Sequence, residues 1–164
     1  MAELASKAEN PASLRYVQIE KEHLPHLLPL EHEAYPDPWT QGMFHQEIRN
    51  GSSHFYLVFQ GDTLVGYGGF WLLIDEIHIT KLTVAPPHRG QGIGRRLMGF
   101  LEQCGWRAGG RVIRLEVRES NRAARRLYET LGFEEIGVRK DYYTVSRENA
   151  IVMAKDLVRT PADV

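Results

Sequence analysis

The segment Arg89-Gly90-Gln91-Gly92-Ile93-Gly94 sets three glycines at alternate positions between a predicted strand and a predicted helix. At such a junction the unpaired N–H groups of the first helical turn and the positive end of the helix dipole converge, and that geometry binds phosphate. Glycines also let a pyrophosphate come close to the backbone. Arg95 and Arg96 follow directly, in a turn where cations oppose the dipole unless an anion lies nearby. Taken alone, the cluster reads more readily as a flexible strand-to-helix turn. Two nucleotide motifs are excluded. A P-loop needs Lys-Ser/Thr after its last glycine, and Gly94 is followed by two arginines. A dinucleotide fingerprint needs a third glycine where Leu97 stands.

Other residue types that do chemistry have plainer readings. Glu116 alternates with Arg114 and Arg118, so all three share one strand face, where an ion pair is the simplest outcome. Tyr128 sits in an apolar stripe with Leu127 and Leu131, as a core tyrosine whose hydroxyl can still reach a polar site. Cys104 shares a helix face with Leu97, Phe100 and Leu101, and no histidine lies within a turn to activate it, so packing is its expected role. His23 and His26 lack the glutamate of a zincin helix and no cysteine pair accompanies them, so no metal is expected. His78 alternates with Glu76 and Thr80, and a substrate-side contact and a structural hydrogen bond stay equally open for it.

These residues need elements to hold them. Arg15 to Ile19 predicts a strand, and Leu24, Leu27, Leu28 and Glu31 to Ala34 carry helical spacing up to a Pro36-Asp37-Pro38 break. Thr40 caps a second short helix with Met43, Phe44 and Ile48. Strands at Phe55 to Phe59 and Leu64 to Trp71 flank a Gly61-Asp62 hairpin turn, and a third runs from Glu76 to Val84. A helix from Ile93 stops at Gly109-Gly110. Val112 to Val117 alternates as a strand, Ser120 or Asn121 caps the next helix, and strands at Glu134 to Tyr143 and Ala150 to Leu157 finish the chain. The order β-α-α-β-β-β-α-β-α-β-β defines a mixed α/β domain.

At 164 residues the chain suits one domain, drawn from 14 to 158 between a flexible N-terminal tail, 1–13, and a C-terminal tail, 159–164. Hydrophobic residues at 43% and charged residues at 25% exclude a mostly disordered chain. A single cysteine cannot form an internal disulfide and suits a reducing compartment. No apolar run approaches the roughly 20 residues of a membrane span. The opening residues carry no apolar signal region, so the expected address is cytoplasmic, with no membrane partner. From His88 to Arg126 ten arginines stand against three glutamates, +7 in a chain of net charge -1, so the remainder carries -8. A basic segment in an acidic molecule fits an anionic ligand held in one place and argues against a direct nucleic-acid partner. A solvated arginine-rich helix face accounts for the charge equally well.

Context changes the weight of the glycine turn. Arg89-x-x-Gly92-x-Gly94 follows Ile79-Thr80-Lys81-Leu82-Thr83-Val84 and precedes an amphipathic helix, and this resembles the acyl-CoA motif of the GNAT N-acetyltransferase superfamily. The resemblance continues through Leu115-Glu116-Val117-Arg118-Glu119-Ser120-Asn121, Ala123-Ala124, and Leu127-Tyr128-Glu129-Thr130-Leu131-Gly132-Phe133. With Tyr35-Pro36-Asp37-Pro38-Trp39-Thr40, Gly69-Phe70-Trp71, Asp75-Glu76, His78-Ile79-Thr80 and Arg139-Lys140-Asp141-Tyr142-Tyr143, it is similar to the RimI-like branch, which acetylates the N-terminal amine of a ribosomal protein. It spans residues 15 to 155.

The resemblance implies a mostly antiparallel central sheet of about seven strands, flanked by about four helices and splayed at a cofactor-binding centre. It implies acetyl-CoA as cosubstrate and an N-terminal peptide of a ribosomal protein as partner, with the protein a monomer. Glu116 becomes the general base and Tyr128 the acid that protonates the departing sulfur. A backbone N–H near Val84 becomes the donor to the carbonyl oxygen, and Leu82, Thr83 and Val84 pair with the pantetheine arm. Arg89, Gly90, Gln91, Gly92, Ile93, Gly94 and Arg95 hold the pyrophosphate, and Asn121 either bonds the cofactor or caps its helix. Tyr35, Trp39, Glu76, Tyr142 and Tyr143 become walls of the acceptor groove. Acetyl transfer to lysine or a small amine, and a non-catalytic acyl-CoA-binding regulator, are the alternative readings.

Overall fold

The computed structural model describes residues 13–157. The expected tails therefore lie, apart from Ser13, outside the described residues. The chain opens with strand β1 (Arg15–Gln18) and helix α1 (Leu24–Ala34), which ends where Tyr35 turns extended ahead of Pro36. Helix α2 (Gln41–Arg49) starts at Thr40, whose Oγ1 accepts the Met43 N–H at 3.2 Å. Strands β2 (Ser53–Gln60), β3 (Thr63–Leu73) and β4 (Glu76–Val84) follow as a meander. Then come helix α3 (Ile93–Arg107), strand β5 (Val112–Arg118), helix α4 (Arg122–Thr130), and strands β6 (Glu134–Tyr143) and β7 (Glu148–Asp156). The order agrees with the pattern read from the sequence. Strands β2 and β7 each begin two residues early, because ladder pairs Ser53 with Trp71 and Glu148 with Tyr143 carry pairing past the apolar runs.

One seven-stranded sheet forms, in the order β1-β2-β3-β4-β5-β7-β6. Every neighbouring pair is antiparallel except β4 and β5, which are parallel and pair only over Glu76–His78 with Val112–Arg114. Beyond His78 the two strands separate. A β-bulge contributes to this fork, since Phe70 faces Ile79 and Gly69 faces Lys81, leaving Thr80 without a partner across the ladder. The extra residue also resets the alternation of side chains. Ile77 and Ile79 pack under α3 before the bulge, and Leu82 and Val84 take over that face after it. Lys81 and Thr83 are thereby turned toward α1 and the connection that follows it.

Hydrophobic side chains fill both faces. Ile77, Phe70, Leu97, Leu101, Ile113 and Met153 are fully buried between the sheet and helices α3 and α4. Leu27, Phe44, Phe55, Leu57 and Tyr67 are buried against α1 and α2 on the other face. Each such side chain stabilises the fold by about 1.5 to 3 kcal/mol relative to exposure. Gly105 lets α3 lie close over β4, because a Cβ there would stand 2.2 Å from Ile77 Cδ1.

Candidate active site

The fork between β4 and β5 opens into a cavity of about 1050 Å³. Its walls come from the α1–α2 connection, the second half of β4, the glycine turn with the start of α3, β5 from Leu115 onward, α4, and the β6–β7 hairpin. The separated half of β4 pairs with β3 on one side only, so Leu82, Thr83 and Val84 line the cavity along an edge without a strand partner. Such an edge can add an extended ligand by backbone hydrogen bonds.

At one end lies the glycine turn. Gly90 and Gly92 have φ of 79° and 80°, a backbone region that L side chains rarely adopt, and Gly92 caps α3 without any side-chain bond. A Cβ at either glycine would meet no atom within 4 Å, so among the described residues nothing covers the turn. The first turn of α3 carries no acidic residue. Open N–H donors, the helix dipole and the missing carboxylate together fit a pyrophosphate. Arg89, Ile93, Gly94 and Arg95 also line the cavity, and Gln91 does not. Arg95 Nη2 donates to Thr130 Oγ1 at 2.9 Å, and Arg89 Nε donates to the Val84 carbonyl at 3.1 Å. Of the ten arginines in the basic segment, Arg89, Arg95 and Arg118 line the cavity. Arg114 and Arg125 are instead spent on Glu76 and Glu135, so the charge asymmetry is only partly a property of the site.

Glu116 of β5 and Tyr128 of α4 line the same cavity. Glu116 Oε2 lies 2.6 Å from His78 Nε2, just past the last β4–β5 ladder pair. Its other oxygen, Oε1, is buried without a hydrogen-bond partner among the described residues, 3.7 Å from Arg139 Nη2. Desolvation, the largest influence, pushes this carboxyl up, but the His78 hydrogen bond and charge, with Arg139 and Arg114, outweigh it and hold the group below the ordinary glutamate range. Arg114 and Arg118, the partners its strand face suggested, bind Glu76 at 3.2 Å and Asp37 at 2.5 Å instead. Tyr128 is 7% exposed, with its ring tilted against Phe133 at 5.7 Å. Burial, then the neighbouring Tyr35 and Tyr143, pushes its phenol well above the usual range, so it stays protonated. Asn121 Oδ1 caps α4 by accepting the Ala124 N–H at 3.1 Å, and Asn121 also borders the cavity.

Tyr35, Trp39, Tyr142 and Tyr143 line the remaining wall, whereas Glu76 lies outside the cavity at the start of β4. The Tyr35 hydroxyl hydrogen-bonds Thr83 Oγ1 at 2.5 Å, and burial pushes its phenol up to about 12. Trp39 packs on Phe44 and Phe55, with ring centroids 5.2 and 6.2 Å apart. Tyr142 and Tyr143 meet edge to face at 5.1 Å.

Two further clusters escaped sequence reading. Glu31 of α1, fully buried, accepts from Lys81 Nζ, from the Tyr67 hydroxyl at 2.6 Å and from the Trp39 N–H at 3.0 Å. The Lys81 ammonium also lies over the rings of Tyr35 and Trp39, at 4.1 and 4.4 Å. Burial lowers its pKa, against the opposing charge of Glu31. A lysine between Thr80 and Leu82 in the interior of β4 was the one local sign of this pair, fifty positions apart. The second cluster is Arg118 with Asp37, Ser146 and Glu148, stacked over the Tyr143 ring at 3.9 Å. Trp71 also lines the cavity, and its indole N–H donates to Glu47 at 2.9 Å. Cys104 is half-buried at the edge of the α3 core, where burial raises its thiol pKa. Among the described residues no group of three His, Cys, Asp or Glu could hold a metal ion, and no helix is long and apolar enough to cross a membrane.

A forked seven-stranded sheet with an open glycine turn at the mouth of the fork is the architecture of an acyl-CoA-dependent transferase, and residues 24–133 match the acetyltransferase (GNAT) family model. The chain belongs to that family and is an acetyltransferase. It is 34% identical over 143 residues to the [ribosomal protein bS18]-alanine N-acetyltransferase of Haemophilus influenzae, covering 84% of this chain and 94% of that one. It is 39% identical over 124 residues to the N-alpha-acetyltransferase RimI of Mycobacterium tuberculosis, covering 73% and 77%. The crystal structure of the ribosomal-protein-S18-alanine N-acetyltransferase from Escherichia coli superposes with a TM-score of 0.81 at 29% identity, covering 93% of this chain and 99% of that one.

Proposed function

We propose that the protein transfers acetyl from acetyl-CoA to the N-terminal α-amine of a protein, with the N-terminal alanine of a small-subunit ribosomal protein as acceptor. The observation that carries this reading is that Glu116, whose buried Oε1 has no hydrogen-bond partner among the described residues, lines the same cavity as Tyr128, whose phenol stays protonated. A buried acceptor without a donor is costly, and an incoming ammonium N–H would satisfy it. A protein α-amine titrates near 7.7 to 8.0, so modest basicity suffices to make it a nucleophile. A lysine side chain, near 10.4, asks much more of a carboxylate that its neighbours hold low. The names of the two bacterial relatives support an α-amine, and that of the Haemophilus influenzae protein supports an alanine of a ribosomal protein.

In this reading residues 14–158 work as one acetyltransferase domain, a cytoplasmic monomer. Gly90 to Arg95 hold the pyrophosphate and the free edge at Leu82 to Val84 aligns the pantetheine arm, with a backbone N–H near Val84 facing the carbonyl oxygen. Glu116 belongs to the general base, and Tyr128 supplies the proton for the departing sulfur. Tyr35, Trp39, Tyr142 and Tyr143 flank the acceptor peptide, and the acidic balance outside the basic segment favours a basic one. The test is competition between an alanine-ended peptide and the same peptide blocked at its N-terminus, with the label from acetyl-CoA located by mass spectrometry. Acetylation of the free α-amine alone is expected. Acetylation of internal lysines in the blocked peptide at an equal rate would overturn the reading.

A further inference from the structure

The acceptor wall contains a binding box for a primary alkylammonium, and the chain fills that box itself: we infer that Lys81 is a specificity-determining residue whose side chain occupies the box and closes it to a lysine side chain or a polyamine. The link to acceptor choice rests on the α-amine reading above, whereas the box stands on geometry alone.

Three groups form the box. Lys81 Nζ lies 4.1 Å from the centre of the Tyr35 ring and 4.4 Å from that of Trp39, so two aromatic faces flank one ammonium. Glu31, fully buried, accepts from the same Nζ. Each group keeps its place by contacts that do not involve the lysine. The Tyr35 hydroxyl is bonded to Thr83 Oγ1 at 2.5 Å, and the Trp39 ring packs on Phe44 and Phe55. Glu31 accepts the Tyr67 hydroxyl on Oε2 at 2.6 Å and the Trp39 N–H on Oε1 at 3.0 Å. Lys81 is therefore the occupant of the box rather than part of its frame. It reaches the box from β4 because the extra residue at Thr80 turns it toward α1. Tyr35, Trp39 and Lys81 all line the cavity, and the lysine side chain is only 7% exposed.

Stability alone gives no sufficient reason for such a pair. A buried ion pair recovers little more than its desolvation cost, and apolar residues of similar volume often serve as well. The consequence for binding is larger. An alkylammonium arriving from the cavity meets a filled box and a like charge, with both oxygens of Glu31 already engaged. Glu116, by contrast, has its Oε1 without a hydrogen-bond partner among the described residues. The two carboxylates divide the cations. Glu31 keeps the chain's own, and Glu116 stays open to the α-amine of the acceptor. The wall then admits a neutral side chain beside that amine and refuses a cationic one.

Lys81→Ala removes three carbons and the ammonium, the outline of n-propylammonium, which serves as the probe. Thermal unfolding is followed for the wild type, Lys81→Ala and Lys81→Ala/Glu31→Gln in n-propylammonium chloride, with equal concentrations of potassium chloride and of propanol as controls. At several times its Kd, propylammonium is expected to raise the midpoint of Lys81→Ala by about 2 to 4 °C beyond either control, and to leave the wild type and the double variant at their control values. A rise in Lys81→Ala no larger than that in the controls would overturn the box. Acceptor choice is read as the ratio of kcat/KM for two peptides identical except for a first residue of alanine or lysine. The preference for alanine is expected to fall about tenfold in Lys81→Ala. It is expected to fall also in Lys81→Gln, which keeps an N–H donor for Glu31 and decides the matter where Lys81→Ala does not fold. An unchanged ratio in either folded variant overturns the role in specificity. A wild type that acetylates neither peptide would sink the α-amine reading, while propylammonium still decides the box.

Discussion

Arg118 of β5 and Asp37 of the α1–α2 connection, eighty-one positions apart, meet at 2.5 Å across the mouth of the cavity. The same guanidinium donates to Ser146 Oγ at 3.0 Å, lies 3.7 Å from Glu148 and stacks on the Tyr143 ring. One side chain thus ties the α1–α2 connection, which has no ladder pairing with β5, to the β6–β7 hairpin, and both segments carry the aromatic wall. Arg118→Ala is expected to free both walls. The apparent KM for an acceptor peptide should rise about tenfold, corresponding to about 1.4 kcal/mol, with acetyl-CoA affinity unaltered. Arg118→Lys should recover little, because a lysine cannot fork to several partners. Steady-state kinetics with each substrate varied in turn checks this.

Beneath that wall, Lys81→Met leaves Glu31 as a fully buried carboxylate without its cation. The expected loss is about 3 to 5 kcal/mol of stability, read by denaturant unfolding. The double variant with Glu31→Gln should recover part of it, since both charges are then gone.

Glu116 makes stability depend on pH in one direction. Its folded-state pKa is lowered relative to the unfolded chain, so its contribution is fully present above the ordinary glutamate range and lost as pH falls through the folded value. Melting temperatures followed from pH 7 down to pH 3, roughly bracketing the glutamate range, should fall more steeply in the wild type than in Glu116→Gln. Equal slopes would show that the carboxylate gains nothing from His78 and Arg139.

Tyr128→Phe is expected to reduce kcat about 100-fold while acetyl-CoA binds as before, because the ring still packs on Phe133 and only the proton donor is lost. The raised phenol pKa means that the wild type should show no falling limb from Tyr128 up to about pH 10. Rate profiles of the two proteins test both statements.

The two kinds of glycine in and around α3 should behave oppositely. Gly92→Ala forces a side chain into a backbone with φ of 80° and is expected to cost about 1 to 2 kcal/mol, with weaker acetyl-CoA binding. Gly99 lies within the helix with open space around it, so Gly99→Ala should stabilise by about 0.4 to 1 kcal/mol. Thermal unfolding with and without CoA separates the two effects.

The residues by themselves determined the order of elements, the Thr40 cap, a cap at Ser120 or Asn121, the Gly61-Asp62 hairpin and the glycine turn ahead of α3, because caps, turns and periodicity act over a few neighbouring positions. They also placed Glu116 and Tyr128 on elements that face one cavity. Only the tertiary structure decided who meets whom. Strand alternation put Glu116 beside Arg114 and Arg118, yet each arginine found its acid on another segment and Glu116 found His78 across the fork. The extra residue at Thr80, which turns Lys81 toward Glu31, left no local mark. Periodicity states which face a side chain takes, while its partner depends on strand register and on where β4 and β5 part, both set by packing between distant segments.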